Sequence, residues 1–122
     1  MLRDSRQYLE DVLEAIARIR SYISGYDQDS FAKDLKTQDA VLRNLGIIGE
    51  AVGKMPETVE ASAPDVEWRK IRALRNILVH EYFGINLPIV WDVVQNKLAP
   101  VEQACRKILS ELEDSNGSVP QP

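Results

Sequence analysis

This chain predicts an all-α fold, an antiparallel bundle of four main helices with short accessory helices, paired as a homodimer. Three observations predict the helices: apolar residues recur at helical spacing, no segment sustains strand-like alternation, and glycine or proline punctuates the ends of the periodic runs. Short connections between such helices favour antiparallel neighbours. The 122 residues fit one domain. A domain of that size buries roughly two-thirds of the surface its unfolded chain exposes, so it folds without disulfide or metal.

The first helix is predicted over about residues 3–24, where Leu9, Val12, Leu13, Ile16, Ile19 and Ile23 share a face, and Gly25 ends it. The Asp27–Ser30 cluster caps a short turn around Phe31 to Leu35. The second main helix spans about 37–54, from a Thr37 cap to Met55-Pro56, with Val41, Leu45, Ile48 and Val52 inward. Residues 56–64 read as a loop with one helical turn between its two prolines. The third helix, about Val66 to Val79, turns Trp68, Ile71, Leu74 and Leu78 inward and breaks at Tyr82-Phe83-Gly84. A helix from about Pro88 to Lys97 follows, and Pro100 introduces the last, about 100–113. The domain therefore covers residues 1–113. From Asp114 the sequence D-S-N-G-S-V-P-Q-P offers nothing to bury, so 114–122 is expected to be a disordered tail.

Composition narrows the class. The hydrophobic fraction of 44% and charged fraction of 28% are ordinary for a globular protein. A single cysteine, Cys105, excludes an internal disulfide and fits a reducing cytoplasm. Val101, Ile108, Leu109 and Leu112 place it on an apolar helix stripe, as a core thiol. No apolar run approaches the length of a membrane span, so a soluble cytoplasmic protein with no membrane partner is expected. The net charge of −4 argues against general nucleic-acid binding, which depends on neutralising phosphates. Yet Arg69, Lys70, Arg72 and Arg75 crowd together just before the histidine. That cluster suits either a local contact with nucleic acid or a solvated helix face.

Two helices carry polar stripes. On the second, Asp39, Arg43, Gly46 and Glu50 follow helical spacing, with an Asp39–Arg43 surface ion pair as the plain reading. Gly46, Gly49 and Gly53 sit mid-helix, where each costs on the order of 1 kcal/mol relative to alanine. They point to close approach by another backbone, from a neighbouring helix or a second subunit. On the third helix, residues 75–82 read Arg-Asn-Ile-Leu-Val-His-Glu-Tyr and include the only histidine. At about 100° per residue, Asn76 and His80 are about 40° apart and Arg72 and His80 about 80°. Arg75 and His80 differ by about 140°, whereas Tyr82 lies about 20° from Arg75. Either the helix unwinds near His80, or a second chain completes the site across a two-fold axis.

The segment Trp68 to Trp91, W-R-K-I-R-A-L-R-N-I-L-V-H-E-Y-F-G-I-N-L-P-I-V-W, resembles the signature region of the HEPN domain family. It is most similar to the HepT-type toxins of HepT–MntA toxin–antitoxin pairs. The second helix, A-V-L-R-N-L-G-I-I-G-E-A-V, is similar to the same family, and the likeness spans about residues 5–112. The resemblance implies an all-helical HEPN-like domain that dimerises and acts as a metal-independent endoribonuclease. It assigns RNA cleavage to Arg75 and His80. It makes Tyr82 the position modified with AMP by an MntA-like nucleotidyltransferase antitoxin. Some HEPN proteins are instead non-catalytic nucleotide- or partner-binding modules beside nucleotidyltransferases, and that remains the alternative.

The residues themselves permit the chemistry. Cleavage without metal needs a base for the ribose 2′-OH and an acid for the 5′ leaving oxygen, and histidine suits both roles near neutrality. A symmetric dimer would supply the second histidine. Arg75 keeps its charge and stabilises the developing phosphorane, Asn76 orients His80 or holds a phosphate oxygen, and Arg72 supports them. A 2′,3′-cyclic phosphate and a 5′-hydroxyl are the expected products. One histidine without a close acidic pair is a poor ligand set, so no metal and no other cofactor is expected.

Overall fold

The computed structural model describes residues 5–79 and 85–118, and every regular element among them is helical. In chain order these are α1 (Ser5–Ile23), α2 (Gln28–Lys33), α3 (Leu35–Gly53), α4 (Glu57–Ala61), α5 (Trp68–Ala73), α6 (Asn76–Val79), α7 (Leu87–Asp92), a π-helical turn (Val93–Lys97) and α8 (Leu98–Ser118). The apolar periodicity becomes the core directly. Leu9, Val12, Ile16 and Ile19 of α1 meet Val41, Leu45, Ile48 and Val52 of α3, and all of them are buried. The other flank of α1 packs on α8, through which Leu98, Val101 and Cys105 close the core. An ion pair from Arg20 to Glu102, at 2.7 Å, ties α1 to α8 at the surface and holds the Glu102 carboxyl below its usual range.

Short-range chemistry sets the element ends. Gly25 ends α1 in a left-handed conformation, φ +82°, that a side chain would resist. Asp27 caps α2 through a capping box with Ser30. The cap of α3 is Asp34, not Thr37. Its carboxylate accepts the Thr37 backbone N–H at 3.1 Å and the Thr37 hydroxyl at 2.8 Å, and the Tyr26 hydroxyl donates to it as well. The Tyr26 bond first, and then the Thr37 bonds, hold Asp34 below the usual carboxylate value. The stability they contribute is present above that value and lost as pH falls through the lowered pKa. Between α2 and α3, the buried Gln38 amide donates to the Phe31 carbonyl at 2.9 Å, and Phe31 stacks at a tilt on Trp91 of α7, centroids 5.2 Å apart. The expected turn between the two prolines is α4.

The C-terminal half departs from the expected punctuation. Pro100 does not start a helix; it lies inside one helical run from Leu87 to Ser118. A proline there cannot bond to the carbonyl four residues back, and its ring crowds that carbonyl. The wider π turn immediately before it supplies the room. Residues 114–118, assigned to the tail, continue α8, while 119–122 lie outside the described residues. No helix among the described residues is long and apolar enough to cross a membrane.

Cys105 is fully buried, and burial pushes its thiol up to about 12. Because the thiolate is the reacting form, the folded protein should resist thiol-specific reagents near neutral pH and react only when unfolded in urea. Rapid stoichiometric labelling of the native protein would show that the packing around α8 is wrong.

Candidate active site

The segment read as one helix over 66–79 is two short helices with a turn at Leu74–Arg75. In that turn the Leu74 N–H bonds to the Ile71 carbonyl at 3.0 Å and the Arg75 N–H to the Arg72 carbonyl at 3.2 Å. The Ile77 N–H likewise reaches back only three residues, to Leu74 at 3.0 Å. These are tighter bonds than the α ladder makes, and they reorient the chain between α5 and α6. The straight helix on which the 140° separation was calculated is therefore not formed between Trp68 and Val79, and His80 lies outside the described residues.

What fixes the turn is α3. A Cβ built on Gly49 would lie 2.2 Å from the Arg75 nitrogen, 2.8 Å from the Leu74 carbonyl carbon and 3.0 Å from the Arg75 Cα. The backbone of the turn thus rests on the bare face of α3, in the place a side chain would take. This is the close approach that the mid-helix glycines announce, and it is intramolecular. Gly53, by contrast, has nothing within 4 Å of such a Cβ. Leu74 faces a groove of about 420 Å³ whose floor includes Ile71, Val93 and Val101.

The proposed site residues separate into three groups. Arg75 and Asn76 adjoin each other, in the turn and at the first position of α6, and both are exposed. Arg72 is engaged elsewhere, since its guanidinium pairs with Glu60 of α4, a contact that raises the already high pKa of Arg72. His80 and Tyr82 lie outside the described residues, and the Leu78 side chain does too.

The basic cluster is half neutralised. Lys70 pairs with Glu67 at 3.2 Å and Arg72 with Glu60, while Arg69 and Arg75 are exposed and make no ion pair among the described residues. Exposed pairs such as Lys70–Glu67 contribute little to stability, so their effect is mainly to quench local charge. On α3 the expected Asp39–Arg43 pair is not formed. Both residues are exposed, and Glu50 pairs instead with Lys54 at 3.2 Å.

Sequence reasoning missed Glu60. Twelve positions from Arg72, it carries no spacing signal. It is buried, one oxygen takes the Arg72 guanidinium, and the other has no hydrogen-bond partner among the described residues. Since the Arg72 carbonyl accepts the Arg75 N–H, the Glu60–Arg72 pair braces the same turn that Gly49 seats.

Comparison with known proteins identifies a family for the chain. The family model described as "Ribonuclease HepT-like" matches residues 12–108. A Methanocaldococcus jannaschii protein named as a candidate RNase is 40% identical over 111 residues, which is 91% of this chain and 92% of the relative. A Thermococcus cleftensis protein named probable ribonuclease HepT is 34% identical over 108 residues, 88% of this chain and 98% of the relative. A Caldanaerobacter subterraneus protein, again named as a candidate RNase, is 32% identical over 110 residues, 90% of this chain and 98% of the relative. No solved structure matches the chain. With the model covering most of its length and these relatives aligned nearly end to end, the chain belongs to the HepT-like ribonuclease family.

Proposed function

We propose that this chain is a metal-independent endoribonuclease toxin of a toxin–antitoxin pair, acting in the cytoplasm as a homodimer of HEPN-like four-helix bundles. The observation that carries the reading is Arg75, an exposed arginine with no ion pair among the described residues, presented on a turn seated against Gly49. A permanent cation with no ion pair among the described residues is what a phosphodiester in transit to a phosphorane requires. Family membership supports the same chemistry.

In the proposed reaction His80 takes the proton of the ribose 2′-OH, and the 2′ oxygen attacks the adjacent phosphorus. Arg75 stabilises the negative charge that develops on the phosphoryl oxygens. The bond to the 5′ oxygen breaks as a protonated histidine donates to it, leaving a 2′,3′-cyclic phosphate and a 5′-hydroxyl. One chain carries one histidine, so a dimer supplies the acid and the base together. Asn76, next to Arg75, holds a phosphate oxygen or orients His80. Arg72, engaged by Glu60, supports the site through the turn and not by touching phosphate. Tyr82 is the handle for an MntA-like nucleotidyltransferase antitoxin, which modifies it with AMP and so keeps substrate from the site. The net charge of −4 favours a second reading, a non-catalytic module that binds a nucleotide or a nucleotidyltransferase partner.

With EDTA present, the purified protein should cut RNA, and Arg75→Ala and His80→Ala should each slow it by at least about a hundredfold. Both variants should stay helical. A His80→Ala protein that cuts as fast as wild type removes the nuclease assignment.

Light scattering at micromolar concentration should give twice the chain mass of 13.8 kDa. A strict monomer contradicts the shared site.

Intact mass spectrometry after co-expression with the antitoxin should show added AMP on wild type and none on Tyr82→Phe. A neutralised but unmodified toxin would mean inhibition by binding alone.

A further inference from the structure

We infer that Gly49 is a positioning residue for Arg75: the missing side chain on α3 sets where the arginine's backbone stands, and through it where the guanidinium meets phosphate. The kinetic part of this inference rests on the nuclease reading above; the structural part does not. A side-chain carbon at position 49 would sit 2.2 Å from the Arg75 nitrogen, where 3.4 Å or more is ordinary contact. The obstructing atoms are backbone, namely the Arg75 nitrogen and Cα and the Leu74 carbonyl carbon, so no rotamer change relieves the clash. The turn itself must move by roughly 1 Å, a displacement that can cost about a hundredfold when it misplaces a group that stabilises a transition state.

Glycine is otherwise a poor choice in the middle of a helix. Gly53, one turn on, meets nothing within 4 Å, so the same helix contains its own control. The turn is also tied to α4, because the Arg72 carbonyl holds the Arg75 N–H at 3.2 Å while the Arg72 guanidinium is clamped by buried Glu60. A turn gripped by α3 and by α4 cannot drift to absorb a methyl group without changing the angle at which Arg75 leaves it.

The test is a double-mutant cycle read by kinetics and by amide exchange. Gly49→Ala should lower kcat for an RNA oligonucleotide at least about tenfold with KM within about twofold, as expected when only the transition state loses a contact. Gly53→Ala should keep the wild-type kcat. In an Arg75→Ala background, Gly49→Ala should cause no further loss, because the two act through one group. A Gly49→Ala enzyme with wild-type kcat overturns the inference, and so does a full tenfold loss on top of Arg75→Ala. Should Gly49→Ala fail to fold, Glu60→Gln loosens the same turn without added bulk. It should lower kcat in the wild-type background and not in Arg75→Ala, and an additive loss overturns the inference. If wild type cuts no RNA, the nuclease reading fails and hydrogen exchange decides the positioning claim. Amides 74–77 should exchange faster than wild type in Gly49→Ala, or in Glu60→Gln where the former does not fold, and not in Gly53→Ala. Unchanged exchange across those amides overturns the positioning claim.

Discussion

The contact between Gly49 and the backbone of Arg75 is the constraint on which the candidate site depends. It exists because α3 presents a glycine where α5 gives way to α6, so the turn between them lies against a helix without a side chain between. Around that contact the molecule is ordinary: α1 buries one flank against α3 and another against α8, and aliphatic side chains fill the space. The packing of α1 on α3 fixes α3 in place, and α3 then fixes the turn. An arginine on a long flexible side chain is thereby anchored at its root.

Charge pairing refines the same point. Four basic residues cluster just before the histidine, and two are quenched by acids close at hand. The clamp on Arg72 is the more consequential of these, because Glu60 is buried and ties α4 to α5 at the level of the turn. What remains is a small surface with Arg69 and Arg75 uncovered on a body of net negative charge. Such a surface gives little sequence-independent attraction for nucleic acid.

The apolar faces of α1 and α3 were legible in the sequence because burial imposes helical periodicity residue by residue, and the inward positions named for both helices are buried, apart from a half-buried Leu13. The glycine signal was legible as well, since glycine in a helix interior is costly unless something approaches: Gly49 shows that approach, whereas Gly53 is the last residue of α3 and does not. The break at Leu74–Arg75 was not legible. The residues from Trp68 to Val79 contain no proline or glycine, so local propensity reads them as one helix, and tertiary contact with Gly49 accompanies the tighter turn. Glu60 was invisible for a related reason: its partner is twelve positions away, and only the fold brings them together. The cap at Asp34 was misassigned to Thr37 because both residue types cap helices, and the Tyr26 hydroxyl that reinforces Asp34 arrives from across a turn.

End-group analysis of the RNA products tests the central claim most directly, because it reads the chemistry and not merely the loss of substrate. With EDTA present, the account predicts fragments ending in a 2′,3′-cyclic phosphate and beginning with a 5′-hydroxyl, and no cleavage at a site carrying a single 2′-deoxyribose. Fragments bearing a 5′-phosphate, or undiminished cutting at the 2′-deoxy position, would contradict it.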